Sequence, residues 1–170
     1  MVDENTVKQV EQFFAGIDLK VWIAIAVGAV LLIVVIVLIA CAVKRRERER
    51  EESFIEIKTY TPSEFFALRR GTLACKISPE MPGVYILYNQ TKNKYYVGQG
   101  QQLLNRVNMH LTGSGNGRVY ADYRNGDRFT IQMIPLQGSG FHSLNELERV
   151  AISRYEAYGK GYNRTRGNKG

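Results

Sequence analysis

The hydrophobic pattern of this chain changes character as it runs. From Val21 to Val43, 23 residues pass without a charge. At about 1.5 Å per residue, roughly 20 apolar residues cross a hydrocarbon layer about 30 Å thick. The run therefore predicts one transmembrane helix. Trp22 stands near its start, where amphipathic aromatic side chains favour the interface. Lys44 to Glu52 then mixes basic and acidic residues and predicts a solvated helical spacer with weak i,i+4 pairs. Ahead of the apolar run, Met1 to Lys20 carries only a weak amphipathic pattern through Val7, Val10, Phe13, Phe14 and Ile17.

Beyond residue 53 the periods are those of a folded domain. Ser53 to Tyr60 suggests a short strand. Thr61-Pro62-Ser63-Glu64 is a helix start, with Thr61 as N-cap, Pro62 at the first helical position and Glu64 closing a capping box. That helix is expected to run to about Arg70 and stop at Gly71. Val84, Ile86 and Tyr88 alternate with Tyr85, Leu87 and Asn89, the period of a strand. Gln90 to Asn93 is a polar turn, and Lys94 to Val97 returns as a second strand, stopped by Gly98-Gln99-Gly100. In this hairpin Tyr85 and Tyr96 share a face if the register allows, and Tyr95 points the other way.

Gln101 to Leu111 predicts a helix with Leu103, Leu104, Val107 and Leu111 on one side. Arg118 to Arg124 predicts a shorter one. Phe129, Ile131 and Met133 alternate with polar neighbours in Arg128 to Leu136, as a third strand would. Ser143 caps a last helix to about Tyr158, with Glu146 completing a capping box and Leu144, Leu147, Ala151 and Tyr155 as its core stripe. The expected fold class is α+β: a small three-stranded antiparallel sheet flanked by helices, preceded by one transmembrane α-helix.

Charge adds an orientation and a partner. Residues 1–43 hold two lysines against four acidic residues, a net −2, while the remaining residues hold 21 Lys and Arg against 12 Asp and Glu, a net +9. Lys44-Arg45-Arg46, Arg48 and Arg50 follow the span directly, and only Lys8 and Lys20 precede it. The positive-inside rule then places the folded domain in the cytoplasm and the short N-terminus outside. A basic domain suits a polyanion such as nucleic acid. A cleaved signal peptide would have a basic start and about 7–15 apolar residues, and this run is longer and follows an acidic start. Leu38-Ile39-Ala40-Cys41 resembles a lipobox that would lipidate Cys41, but the basic cluster lies on the wrong side for it. The two cysteines, Cys41 and Cys75, have no metal-type or disulfide-framework spacing, and Cys75 is expected to be an inert thiol.

Candidate chemistry centres on the hairpin. Gly83-Val84-Tyr85, ten residues, then Tyr96-Val97-Gly98 resembles the signature of the GIY-YIG nuclease family. Arg106 lies eight positions after Gly98 and His110 twelve, with Glu148 and Asn163 following in the family's order and rough spacing. The resemblance covers about Met81 to Asn163. The middle residue of each half is Val rather than Ile, and both are β-branched residues that suit a strand. The organisation then reads as an extracytoplasmic N-terminus (1–20), a transmembrane helix (21–43), a charged spacer (44–52), an N-terminal extension (53–80) and a GIY-YIG-like nuclease domain (81–170).

The resemblance implies a DNA endonuclease using Mg²⁺ or Mn²⁺. Hydrolysing a phosphodiester needs a deprotonated water, stabilisation of the charge that grows on phosphorus, and help for the leaving oxygen. By resemblance Tyr96 contacts or activates the water and Tyr85 supports it. Arg106 has the planar fork that clamps a phosphate oxygen. His110, one turn on at i+4, is placed to hold the phosphate or shuttle a proton. Glu148 is the expected metal ligand; a hard cation that keeps its waters needs only one or two carboxylates. Asn163 is expected to tie the late loop to the site by amide hydrogen bonds. Gly83 and Gly98 are signature backbone residues, Gly98 letting the strand end turn into the next helix. Arg118, Arg164, Arg166 and Lys169 are candidate phosphate contacts.

On the residues alone, each of these also has a plain reading. Glu148 would be a surface partner of Arg149, Arg106 a solvated helix residue, His110 structural, and both tyrosines sheet aromatics. Glu146, the rival carboxylate, reads as a cap. The expected function is a membrane-anchored endonuclease of low intrinsic sequence specificity, with a protein partner possible for targeting. The alternative is a membrane-anchored nucleic-acid-binding protein without catalysis.

Overall fold

The computed structural model describes residues 8, 16, 18–55, 57–73, 78 and 80–168. The amphipathic stretch expected before Asp18 lies largely outside these residues, and Cys75 and Lys169 lie wholly outside them. The chain divides into two units, Met1–Arg45 and Arg46–Gly170.

In the first unit the apolar run is helical, as part of α1 (Leu19–Ile55). This helix is long and apolar enough to cross a membrane. The side chains of its apolar run are exposed on every side, Leu31 at 61% and Leu38 at 63%, in the manner of a helix that is apolar all round.

In the second unit the last turns of α1 are not simply solvated. Arg50 donates from Nε to the Gly140 carbonyl at 3.1 Å and meets the Glu146 carboxylate at 2.7 Å. Its guanidinium lies 4.7 Å from the centre of the Phe141 ring. Phe54 is buried, edge-on to Phe141 with ring centres 6.1 Å apart. Burying an aromatic ring of this size is worth about 2–3 kcal/mol, and helical spacing brings Phe54 to the core. The expected strand over Ser53–Tyr60 is therefore helix through Ile55. Only Thr59–Tyr60 forms a strand, β1.

That fragment corrects the expected sheet. It has four strands in the order β1-β4-β2-β3, all antiparallel, and not three. β1 pairs Thr59 with Gln132 and Tyr60 with Ile131; two residues show no period of their own in the sequence. Helix α2 (Pro62–Arg69) follows, with the Thr61–Glu64 capping box formed.

The hairpin consists of β2 (Gly83–Asn89) and β3 (Lys94–Gly100), paired so that Tyr85 faces Gly98 and Leu87 faces Tyr96. Tyr85, Leu87, Tyr96 and Gly98 thus share one face, and Val84, Ile86, Tyr95 and Val97 the other. On the far side of β2 lies β4 (Phe129–Pro135). Helices α3 (Leu103–Thr112) and α4 (Gly117–Arg124) cover the Tyr85 face, burying Leu103, Val107 and Val119 against Leu87 and Ile131. Helix α5 (Leu144–Arg154) covers the opposite face, burying Leu147, Ala151 and Ile152 against Val84, Ile86 and Val97. It stops short of the expected Tyr158, because Glu156 takes a left-handed φ of 48° and the chain turns back. Ser143 caps α5 as expected, but Glu146 accepts from His142 N at 3.1 Å, one residue before the cap.

Candidate active site

β3 is an outer strand of the sheet, with β2 on one side only. The candidate residues gather at this edge. Tyr85 and Tyr96 come from the hairpin, Arg106 and His110 from α3 on one face, and Glu148 from α5 on the other. Asn163 meets the edge itself. Its Oδ1 accepts from Val97 N at 2.9 Å and its Nδ2 donates to Val97 O at 2.7 Å. A side-chain amide thus stands in for the missing neighbouring strand. The adjacent backbone adds Tyr162 N to Tyr95 O at 2.8 Å.

Gly98 does not turn the chain into the next helix, since β3 runs on to Gly100. It makes room: a Cβ at this position would overlap the Tyr85 hydroxyl. Gly83 opens β2 and pairs with Gly100 and Pro135.

Three rings fill the space under α3. Tyr96 lies 6.2 Å from Tyr85 and 4.8 Å from His110, centre to centre. The Tyr85 hydroxyl is 2.7 Å from His110 Nε2. His110 Nδ1 accepts the backbone N–H of Asn116 at 2.7 Å. A peptide N–H can only donate, so Nδ1 carries no proton, and in the neutral ring the proton sits on Nε2 and is donated to Tyr85. Burial pulls the His110 pKa from its ordinary 6.5 to about 4, and the nearby Arg106 charge acts the same way. The ring is neutral at pH 7, 1% exposed, and has both nitrogens engaged. It is not open to substrate, which disfavours the expected phosphate-holding or proton-shuttling role.

The two phenols are unequal. Burial, then the neighbouring Tyr96, hold the Tyr85 proton on well above the usual range, although Arg106 opposes them. Burial raises Tyr96 as well. Against that, Tyr85, Arg106 and Asn116 each favour its ionised form, while the Glu148 charge disfavours it. Arg106 and Glu148 therefore act on Tyr96 from the two layers. Arg106 itself is exposed on α3.

Glu148 is 8% exposed. Its Oε2 accepts from Gln99 Nε2 at 3.0 Å and Asn168 N at 3.3 Å, and Gln99 Nε2 also reaches Asn145 Oδ1 at 2.7 Å. Among the described residues no hydrogen bond reaches Glu148 Oε1. Glu148 lines a cavity of about 250 Å³ with Tyr96, Asn116, Asn163 and Arg164. No group of three or more His, Cys, Asp or Glu surrounds it among the described residues. One oriented carboxylate with a free oxygen fits a hard divalent cation that keeps most of its water, and does not fit a fully caged metal such as structural zinc.

Of the expected phosphate contacts, Arg164 lines this cavity. Arg118 instead lies over the Tyr162 ring at 5.7 Å and Arg166 over Tyr158 at 5.4 Å. Gln99, Asn145 and Asn116 lie near the site without belonging to the family signature. Asn116 had a readable signal as an N-cap before Gly117; the other two had none.

These residues fall within a stretch with a family. Residues 81–163 match the family model of the GIY-YIG catalytic domain. This stretch is a GIY-YIG domain. No curated protein and no solved structure matches the chain. The GIY-YIG domain indicates a nuclease, and GIY-YIG nucleases typically use divalent metal ions.

Proposed function

We propose that this chain is a membrane-anchored endonuclease that hydrolyses DNA phosphodiester bonds with one divalent cation, Mg²⁺ or Mn²⁺. The observation that carries the reading is the cavity that Tyr96 and Glu148 line together with Asn163 and Arg164, with the Arg106 charge acting on the same phenol. Tyr96 contacts the attacking water; its own proton first passes to solvent, and the phenolate then takes the proton of the water. Burial holds the Tyr96 proton on, and the Arg106 charge works against it in favour of the phenolate. Arg106 forks onto a non-bridging phosphate oxygen. Gln99 and Asn168 fix one oxygen of Glu148 and leave the other for the cation. When bound, the cation supplies positive charge that offsets Glu148 and the charge growing on phosphate. Asn163 keeps the cavity wall on the sheet edge and is support rather than chemistry.

Arg164 and the basic surface contact phosphates, which carry no sequence information. Cutting is therefore of low sequence specificity, and target choice falls to position or to a partner protein. The apolar part of α1 anchors the domain, with the Lys44–Arg50 flank on the cytoplasmic side.

The test is the full chain in detergent, incubated with supercoiled plasmid and Mg²⁺ or Mn²⁺. Nicking is expected, stopped by chelator and lost in Glu148→Ala and Arg106→Ala. Retarded but uncut plasmid would instead favour a binding protein and overturn the nuclease reading.

A further inference from the structure

We propose that a second cavity, beside the candidate active site, takes an unpaired nucleotide of the DNA strand, with its base against Tyr158 and Arg166 and its phosphate at Arg149. The proposal rests on the nuclease reading above and names the form of DNA the domain holds. The cavity has a volume of about 430 Å³ and is lined by Arg149, Ile152 and Ser153 of α5 and by Tyr158, Lys160 and Arg166 of the segment after it. Small-ligand sites span roughly 300–1,000 Å³.

The two cavities are neighbours. Ile152 belongs to the walls of both. The late loop runs between them: Arg164, Thr165, Gly167 and Asn168 line the Glu148 cavity, and Arg166 lines the second. Gly167 lets this loop lie on α5. Its φ is 101°, and a Cβ there would come 2.9 Å from Arg149 Cγ and 3.4 Å from Ile152 Cδ1. Arg149 Nη1 donates to Asn168 O at 3.2 Å, and Asn168 N donates to Glu148 Oε2 at 3.3 Å. One loop residue thus ties Arg149 to the candidate metal ligand. A strand held by its phosphate at Glu148 reaches the second cavity by crossing this single wall.

The lining has the chemistry of a nucleotide site. Tyr158 is 45% exposed and is the one exposed aromatic ring among the described residues 46–168. The Arg166 guanidinium lies 5.4 Å from its centre. A flat ring and a flat cation beside the Ile152 side chain offer stacking surface to a base of any kind. Three cations face one carboxylate, Glu156, which Lys160 already pairs at 2.8 Å. Arg149 and Arg166 form no ion pair among the described residues, so their charge is available to phosphate. A bare phosphate would have no use for the ring, and an apolar ligand none for the cations. A base inside a duplex is stacked on both faces, so the cavity suits an unpaired one.

The test reads binding rather than cutting. The full chain in detergent, with chelator, is titrated with a fluorescent deoxythymidine oligonucleotide and with a blunt duplex of the same length. Tyr158→Ala should weaken single-strand binding about fivefold or more, and duplex binding by less than about twofold. Tyr158→Phe keeps the ring and should bind the single strand like the wild type. Arg166→Gln should weaken the single strand as well. Unchanged single-strand binding in Tyr158→Ala, or equal losses on single strand and duplex, would overturn the subsite. Thymidine monophosphate competing as well as the oligonucleotide would make a free nucleotide the ligand and overturn it too. Plasmid nicking by the wild type judges the nuclease reading separately. An intact plasmid with Tyr158-dependent binding sinks that reading alone; a nicked plasmid with no effect of Tyr158→Ala sinks only the subsite.

Discussion

Tyr96, Glu148 and His110 show how little of a residue's role is set by its type. Tyr96 and Tyr85 are neighbours on one face, yet Tyr85 is walled in while Tyr96 opens on the cavity; burial raises both phenols, and the Arg106 charge opposes it at each. His110 resembles a general acid or base in sequence and is a buried neutral donor in the structure. Its burial makes an acid-stability prediction. The unfolded chain takes up a proton near pH 6.5, and the folded protein resists until about pH 4. The stability from burying the neutral ring is complete above 6.5 and is lost as pH falls towards 4, at about 1.4 kcal/mol per pH unit. Carboxylates with lowered pKa, among them Glu146, weaken in acid too, so the difference from the variant is what matters. Denaturant unfolding from pH 7 to 4 should show a shallower pH slope in His110→Gln than in the wild type.

At the scale of elements, the site is made by an edge. β3 has β2 on one side only, and there α3 and α5, which cover opposite faces, both reach Tyr96. The price of an open edge is met by Asn163, whose amide pairs with Val97. The final turns of α1 are the other element with a larger part than its sequence announced. Phe54 and Arg50 dock on Phe141, Gly140 and Glu146, so the folded unit begins before Ser53. Phe54→Ala should lower the unfolding free energy by about 3 kcal/mol, read from urea melts. A fragment starting at Ser53 should melt in less urea than one starting at Arg46. Equal midpoints would show that these turns do not belong to the domain.

For the whole molecule, an apolar helix precedes a basic folded unit, and under the proposed function location supplies the choice of target. Removing residues 1–45 should leave plasmid nicking in vitro close to that of the full chain and move the protein from the membrane to the soluble fraction of cells. Protease added outside intact cells should leave the folded unit of the full chain uncut, as a cytoplasmic domain requires. Digestion from outside would reverse the orientation.

The sequence by itself determined the elements whose signal is local. A 23-residue uncharged run, the Thr61–Glu64 box, and the alternation across Gly83–Gly100 each declare a structure through neighbours a few residues apart. The family spacing also picks out Tyr85, Tyr96, Arg106, His110, Glu148 and Asn163 along the sequence. Tertiary structure decided the rest. Two residues of β1 become a strand only because β4 lies beside them. Gly98 matters for a ring on the partner strand, and Asn116 for the imidazole that its backbone N–H meets. Gln99 and Asn145 join Glu148 across the sheet and helix by long-range packing. Such contacts have no period along the chain, because they depend on which surfaces fold together and not on which residues follow one another.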